Sequence, residues 1–301
     1  MTEPTSTPTG SSEAVWKFAE RAGVWLAGNM PRIDPDHPPV VHRDDETSWR
    51  RARELQKRLY EGGFAGICFP PEYGGLGLDI AYQKVFDNET LGYEMPLILN
   101  TPTFTICAAT ILDAGSEEQK RQHIWAALRG DEVLVQLLSE PSGGSDLAGV
   151  LTRADRRGDK WVVNGAKTWS TGAFAADYGL LLARTDWDVP KHDGLTMFLV
   201  PIDQPGITVR RVKQINGSTE FCEEFFDDVE LGDDAVMGEV NKGWGWPPAS
   251  CITSDGRWGR VRSSPADSAP RAHRRHRSTT SRSLRRPGSP TLSGSARWPD
   301  G

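Results

Sequence analysis

Long apolar runs are missing from this chain: nowhere do its 301 residues contain the roughly 18 consecutive apolar positions that a membrane-spanning helix needs. The opening stretch, Met1 to Glu13, has neither a basic start nor an apolar core, so no export leader is read there and a cytoplasmic location is expected. Cysteine is scarce. Cys68, Cys107, Cys222 and Cys251 stand far apart with no C-x-x-C pair, which excludes a zinc ribbon or a disulfide framework and leaves small packing residues. No G-x-S-x-G elbow and no P-loop occur. Gly74-Gly75-Leu76-Gly77 follows two prolines rather than a strand and lacks the third glycine of a dinucleotide fingerprint. The six histidines form no ligand pair on a plausible helix face, so no metal site is expected and they are read as facing solvent.

One absence is local. After Trp246 the chain has no Lys, Glu, Gln, Asn, Met, Phe or Tyr. The net charge of -6 divides accordingly into -14 up to Trp246 and +8 beyond it, an acidic body with an Arg/Ser/Pro-rich basic tail. Three readings of residues 247–301 compete: a nucleic-acid-binding arm, an ordinary extension, and GC-rich codons translated out of frame. A nucleic-acid arm often mixes Lys with Arg and sits on a basic or neutral body, whereas this one would drag an acidic body toward phosphates, so no nucleic-acid partner is expected. A shifted frame accounts for Arg, Ser, Pro, Gly, Ala and Trp together and for the abrupt change after Asn241 to Gly245. On any of the three, residues 1–12 and 247–301 bury too little to order themselves and are expected to be disordered.

What is present between them changes period once. Val15, Phe18, Ala22, Trp25 and Leu26 repeat at three-and-four spacing, which predicts a helix over Glu13 to Gly28 with one buried face. A second helix is predicted over Thr47 to Tyr60, closed by a left-handed glycine cap at Gly62-Gly63. Ile80 to Leu91 and Thr103 to Leu112 read as two apolar, central helices. Ser116 with Gln119 three residues on is a capping box, and Gly130 closes the helix it opens. Residues 13–131 are therefore expected to be an α-helical domain. From Glu132 the apolar runs shorten to strand length: Val133 to Leu138, Trp161 to Val163, Gly179 to Ala183 and Thr196 to Ile202. Turns are read at Arg157 to Asp159, Asn164-Gly165 and Gln204 to Gly206. The fold class is α+β: the N-terminal helices, then an antiparallel β-barrel or sandwich over residues 132–246, then the basic tail.

Two segments hold the candidate chemistry. Ser139 to Asp146 (SEPSGGSD) leaves an apolar strand, and its glycines allow exposed amides together with Ser145 to cradle a phosphate, although the same residues also make an ordinary polar turn. Asn164 to Gly172 (NGAKTWSTG) places Trp169 and Thr171 two apart on a strand, so an indole and a hydroxyl face one space, as a planar heteroaromatic ligand requires.

In order and at this spacing, LLSEPSGGSDLAG, RADRRGDKWVVNGAKTWSTGA, ADYGLLLARTD, GLTMFLVPIDQPGITV and FDDVELGDDAVMGEVNKGW resemble the β domain of acyl-CoA dehydrogenases. GFAGICFPPEYGGLGLD resembles the loop between that family's early helices, and the likeness covers most of residues 13 to 245. The resemblance implies FAD as cofactor and an acyl-CoA thioester as substrate, desaturated between its α and β carbons with hydride passing to the flavin. It implies electron-transferring flavoprotein as acceptor, and a homo- or hetero-oligomer. Residue by residue, it places Gln136, Leu138 and Ser139 at the flavin, the latter two at its pyrimidine edge, and Ser145 on the pyrophosphate. It places Trp169 against the isoalloxazine and Thr171 near flavin nitrogen-5. Gln136 stands where many members carry an aromatic residue, and Ser139 where many carry threonine. The family's base is a glutamate of a C-terminal helical domain, and the last glutamate here is Glu239, on the β side, so no catalytic residue is nominated. From this follow the expectations of an uncovered apolar patch, weak FAD retention and negligible turnover by the chain as written. An acyl-CoA oxidase or flavin monooxygenase of the same fold, and a non-catalytic partner subunit of a fuller homologue, are the alternatives.

Overall fold

The computed structural model describes residues 13–37, 39 and 41–245. The expectations for residues 1–12 and 247–301 lie outside them, as does Cys251.

Helix α1, Val15–Asn29, buries Phe18, Ala22 and Leu26, spaced by four, with no exposure at all. Phe18 meets Phe64 and Tyr82 edge-on at 5.7 and 5.4 Å, and each such ring pair stabilises by about 0.5–1.5 kcal/mol beyond its area. Helix α2, Glu46–Glu61, starts where Asp45 accepts a hydrogen bond from the Thr47 amide. It ends with Gly62 still right-handed, and Gly63 is the left-handed residue at φ 73°. Helix α3, Ile80–Glu89, is peripheral rather than central, since only Tyr82 and Phe86 are buried and Ile80 faces outward. The central helix is the next one, a π-helical segment Asn100–Ala108 running into α4, Ala109–Ala114, with Phe104, Cys107, Ala108 and Ile111 buried. Although the stretch from Leu97 to Ala114 is apolar enough to cross a membrane by composition, 56% of it is buried inside the protein. The capping box of Ser116 and Gln119 forms as expected at the start of α5, Glu117–Gln119. A π-helical turn, Lys120–Ile124, leads into α6, Trp125–Arg129. Gly130 then turns left-handed at φ 78°, where a Cβ would stand 2.6 Å from the Arg53 carbonyl oxygen of α2.

Eight strands follow: β1 Leu134–Leu137, β2 Arg153–Arg157, β3 Lys160–Thr171, β4 Tyr178–Arg184, β5 Leu195–Pro201, β6 Ile207–Arg211, β7 Phe221–Leu231 and β8 Val236–Met237. They make one sheet in the order β6-β7-β3-β2-β4-β5-β8, with β1 on β4. The helical region followed by a β region is as expected, and two features depart from a closed, wholly antiparallel barrel. The strand path runs from β6 to β8 without closing. Both β1 and β2 also pair in parallel with β4, at Leu134↔Tyr178 through Leu137↔Leu181 and at Arg153↔Arg184. The reason lies in β1 and β4 themselves: both are nearly continuous apolar runs covered on two faces, as central parallel strands are.

Alternate side chains of β4 and β5 enter two different cores. Leu180, Leu182, Met197 and Leu199 pack with Trp49, Phe104, Ile111 and Leu128 of the helices, whereas Leu181, Ala183, Phe198 and Val200 pack with Trp161, Phe226 and Val229 of the sheet. The helical and β regions thus share a core. Arg53 of α2 fastens it at the rim, donating to the carbonyl oxygens of Asp131 and Ala175 and, at 2.6 Å, to the Asp177 carboxylate.

Candidate site at the junction of β1 and β3

Strand β3 is long because it absorbs two irregularities. Asn164-Gly165, expected as a turn, is instead the first of two register shifts against β7 within the strand. A Cβ on Gly165 would lie 2.6 Å from Thr152 Oγ1, and Asn164 closes the bulge by bonding Asp228 through side chain and backbone. The second shift falls between Thr168 and Ser170, and there Trp169 takes the left-handed conformation at φ 65°. A bulky residue in that region carries on the order of 1–3 kcal/mol of strain and persists only where its surroundings hold it. Trp169 is 56% exposed and rests edge-on against Phe221, while Thr168 and Ser170 on either side are buried and Thr171 is half-buried.

The end of β1 meets this bulge directly, since the Thr168 amide donates to the Ser139 carbonyl oxygen at 2.9 Å. That bond brings Leu138 and Ser139 beside Trp169 and Thr171. Gln136 lies two residues back in β1, opposite Leu180. The loop beyond folds on itself through a bridge between Glu140 and Gly143. Gly143 has open space where a side chain would stand, and a Cβ on Gly144 would come within 3.3 Å of Ser139 Oγ. Ser145 is exposed farther along, next to Asp146, which bonds Lys191 at 2.6 Å. The structure therefore ties Ser139 to the residue before Trp169, with Gln136 upstream in β1, Thr171 at the end of β3 and Ser145 exposed in the adjoining loop.

The polar groups there are unpaired. Among the described residues no hydrogen bond reaches the side chains of Gln136, Ser139, Ser145, Trp169 or Thr171, and the Gln136 Oε1 is buried as well. A buried amide oxygen left without a donor costs about 1–3 kcal/mol.

Beneath the junction lies a charged cluster that the sequence reading missed. Lys167 is wholly buried, and its ammonium donates to the Leu138 carbonyl oxygen at 3.0 Å and to Glu140 Oε1 at 2.9 Å. Glu140 also accepts the amides of Leu151 and Thr152 at 2.7 and 2.8 Å. Burial works to raise its carboxyl, but the Lys167 charge and these donors outweigh it and hold the group below its ordinary value. At Lys167 burial wins instead, lowering it to about 8 against the attraction of Glu140. Across the β3–β7 ladder Lys167 faces Glu224, a fully buried carboxyl that accepts from Ser170 Oγ at 2.8 Å while its Oε1 has no partner. Burial raises Glu224 to about 8. The one available signal was the placement of a Lys and a Glu inside otherwise apolar strand phases.

The expectation of solvent-facing histidines fails at His123, which is buried with Nδ1 2.8 Å from Glu132 Oε2. No metal-holding group of His, Cys, Asp or Glu occurs among the described residues. A hollow of about 650 Å³ lies away from the junction, along the outer face of α1 beside Trp16, Val24 and Trp25.

Comparison with known proteins bears on the same regions. A profile described as acyl-CoA dehydrogenase, N-terminal domain, matches residues 34–131, and one described as acyl-CoA dehydrogenase, middle domain, matches residues 136–229. The chain is 36% identical over 200 residues to acyl-CoA dehydrogenase IpdE1 of Mycobacterium tuberculosis, covering 66% of this chain and 52% of that protein. It is 39% identical over 245 residues to acyl-CoA dehydrogenase FadE34 of the same organism, covering 75% and 34%. It therefore spans about half, or less, of the length of these relatives. A solved structure described as the Tcur3481-Tcur3483 steroid ACAD superposes with a TM-score of 0.61 at 30% identity, over 79% of this chain and 60% of that one.

Proposed function

Since this chain belongs to the acyl-CoA dehydrogenase family, we propose that the β1–β3 junction is the flavin platform of an FAD-dependent acyl-CoA dehydrogenase. The observation that carries the reading is the set of unpaired polar groups around Trp169, which fits a planar, hydrogen-bonding ligand laid on the indole. Leu138 and Ser139 would hold the pyrimidine edge, with the buried Gln136 amide beside them and Thr171 toward the reactive centre of the ring. Gly143 and Gly144 leave the open backbone that a pyrophosphate needs next to Ser145. A flavin bound here supplies the hydride acceptor for desaturation of an acyl-CoA thioester between its α and β carbons. The remaining work falls to the chain itself: stacking on the ring, fixing its edge, and keeping one of its faces dry. No residue among 1–301 is assigned as the base that removes the α proton, because Glu239 is the last glutamate and lies on the β side. These residues alone are accordingly expected to give no measurable turnover. Steroid or fatty acyl thioesters are the substrate classes that the relatives' names favour, with electron-transferring flavoprotein as acceptor.

A non-catalytic subunit paired with a fuller homologue is the second reading. It is favoured by the two-component description of the steroid structure above.

The test is an FAD titration of the full chain followed by flavin fluorescence, comparing it with Trp169→Ala and Ser145→Asp. Losing one stacking face or placing a carboxylate on the phosphate site should each weaken binding about tenfold or more, roughly 1.4 kcal/mol. Equal affinities in all three proteins would remove the platform reading.

A further inference from the structure

We propose that Lys167 and Glu224 are positioning residues for the platform, and that the proton shared out beneath it sets whether the β1 and β3 walls stay clamped together. This inference rests on the flavin reading for its functional meaning, while the clamp itself stands on geometry.

Among the described residues, Lys167 is the only side chain that bonds both to the end of β1 and to the loop beyond it. From β3 its ammonium reaches Leu138 and Glu140, and the adjacent Thr168 amide reaches Ser139, so the two walls are joined by three neighbouring contacts. Leu138, Ser139 and Thr168 all adjoin residues assigned to the flavin or are among them. Breaking the ammonium contact therefore moves the platform and not a distant surface.

Two carboxyls compete for that one ammonium. Glu140 owns it in the structure, together with the Leu151 and Thr152 amides. Glu224 sits opposite Lys167 on β7, buried as deeply, and receives only Ser170 Oγ. Its unpartnered Oε1 is stable as half of a neutral acid and unstable as half of an anion. The other groups around it do not compensate. Glu223 beside it repels an added negative charge, Val209 of β6 faces it with an apolar side chain, and Arg210 of β6 stands opposite Glu223 instead. Once Glu224 loses its proton, the nearest cation is Lys167, and drawing that ammonium toward β7 takes it from Leu138 and Glu140. Burial places this change in the mildly alkaline range, where Lys167 is itself about to lose its charge. Either deprotonation weakens the same contact. The bond from Ser170 to Glu224 ties the residue next to Trp169 into this balance as well.

Glu224→Gln is nearly isosteric, keeps an acceptor for Ser170 and cannot ionise; Glu224→Val removes the group outright and guards against a fold defect peculiar to the amide. The first readout needs no cofactor: hydrogen-exchange protection of the Thr168 amide in the full chain from pH 6 to 9, corrected for the intrinsic pH dependence of exchange. The wild-type protection should fall by up to about tenfold per pH unit as pH climbs toward 8, and the fall should be smaller in both variants. The second readout is FAD affinity over the same range, which should weaken with rising pH in the wild type and weaken less in Glu224→Gln. Protection that is independent of pH in the wild type, or that declines equally in the variants, overturns the clamp. A normal protection profile in a protein that binds no FAD at any pH sinks the flavin reading and leaves the clamp standing.

Discussion

Replacing Lys167 by methionine tests the worth of the buried ammonium, because methionine keeps most of the length and the apolar stem and removes the charge with its hydrogen bonds. The side chains of Lys167 and Glu140 are 0% and 4% exposed, so solvent offers the remaining carboxylate almost no relief. In Lys167→Met, Glu140 keeps the Leu151 and Thr152 amides but loses its counter-charge, and the Leu138 carbonyl oxygen loses its donor. Removing one partner of such a pair costs about 3–5 kcal/mol. For a domain of this size each kcal/mol shifts the midpoint of thermal unfolding by about 2–4 °C, so a drop on the order of 10 °C is expected. Glu140→Gln should cost somewhat less, because the amide still accepts one backbone N–H. The double variant should be more stable than the sum of the singles by roughly 2 kcal/mol, since no charge is then stranded. The assay is urea unfolding at pH 6.5, where the lysine is charged, backed by thermal melts. A loss below about 1 kcal/mol in Lys167→Met, or additivity of the two changes within about 0.5 kcal/mol, would refute the account of the cluster.

The same cluster shapes the pH dependence of stability. Glu224 is raised from 4.5 to about 8, so its contribution is complete below pH 4.5 and is lost as pH climbs toward 8. Lys167 is lowered from 10.5 to about 8, so its contribution is present above 10.5 and is lost as pH falls toward 8. Together they place a stability minimum near pH 8; urea midpoints measured from pH 5 to 10 should trace it, and Glu224→Gln should remove its acid-side slope. Gly172 supplies a purely steric test: at φ 72°, a Cβ there would stand 2.2 Å from Trp49 Cζ2. Gly172→Ala should therefore cost about 2–4 kcal/mol in the same assay, and a neutral result would mean that the helical and β regions are not seated as described.

Periodicity was enough to read the helices whose apolar residues fall on one face, such as α1 with Phe18, Ala22 and Leu26, and to place the Ser116–Gln119 capping box. It misjudged α3, because side-chain spacing says nothing about which helix the chain wraps last. Strand positions came from apolar runs, but their partners did not. The parallel pairing of β1 with β4 depends on a contact between segments far apart in sequence, and nothing local specifies it. The candidate platform residues came from the family resemblance of motifs in order along the chain, whereas the cluster below them went unread. Lys167 keeps the inward phase of Trp161 and Val163, because the extra residue of the first shift lies in β7 and the second shift falls beyond Lys167; a polar side chain in that phase was the signal passed over. Glu140 was likewise taken for part of a polar turn.

The insertion of β1 beside β4 also bears on how the chain folds. The β2–β3 hairpin and the β4–β5 pair join strands adjacent in sequence and can zip up locally. β1 is different: it is tethered to the helices through Gly130, held by Thr103, whose hydroxyl bonds the Leu134 backbone, and finds β4 only after the intervening hairpin exists. Closing that loop, like the longer one that brings β7 to β3, is slower than zipping a hairpin, and a ribosome-bound chain can complete its helices before either. Until β4 emerges, the Leu134–Leu137 edge is unpaired, and an unpaired apolar strand edge is a template for misassembly.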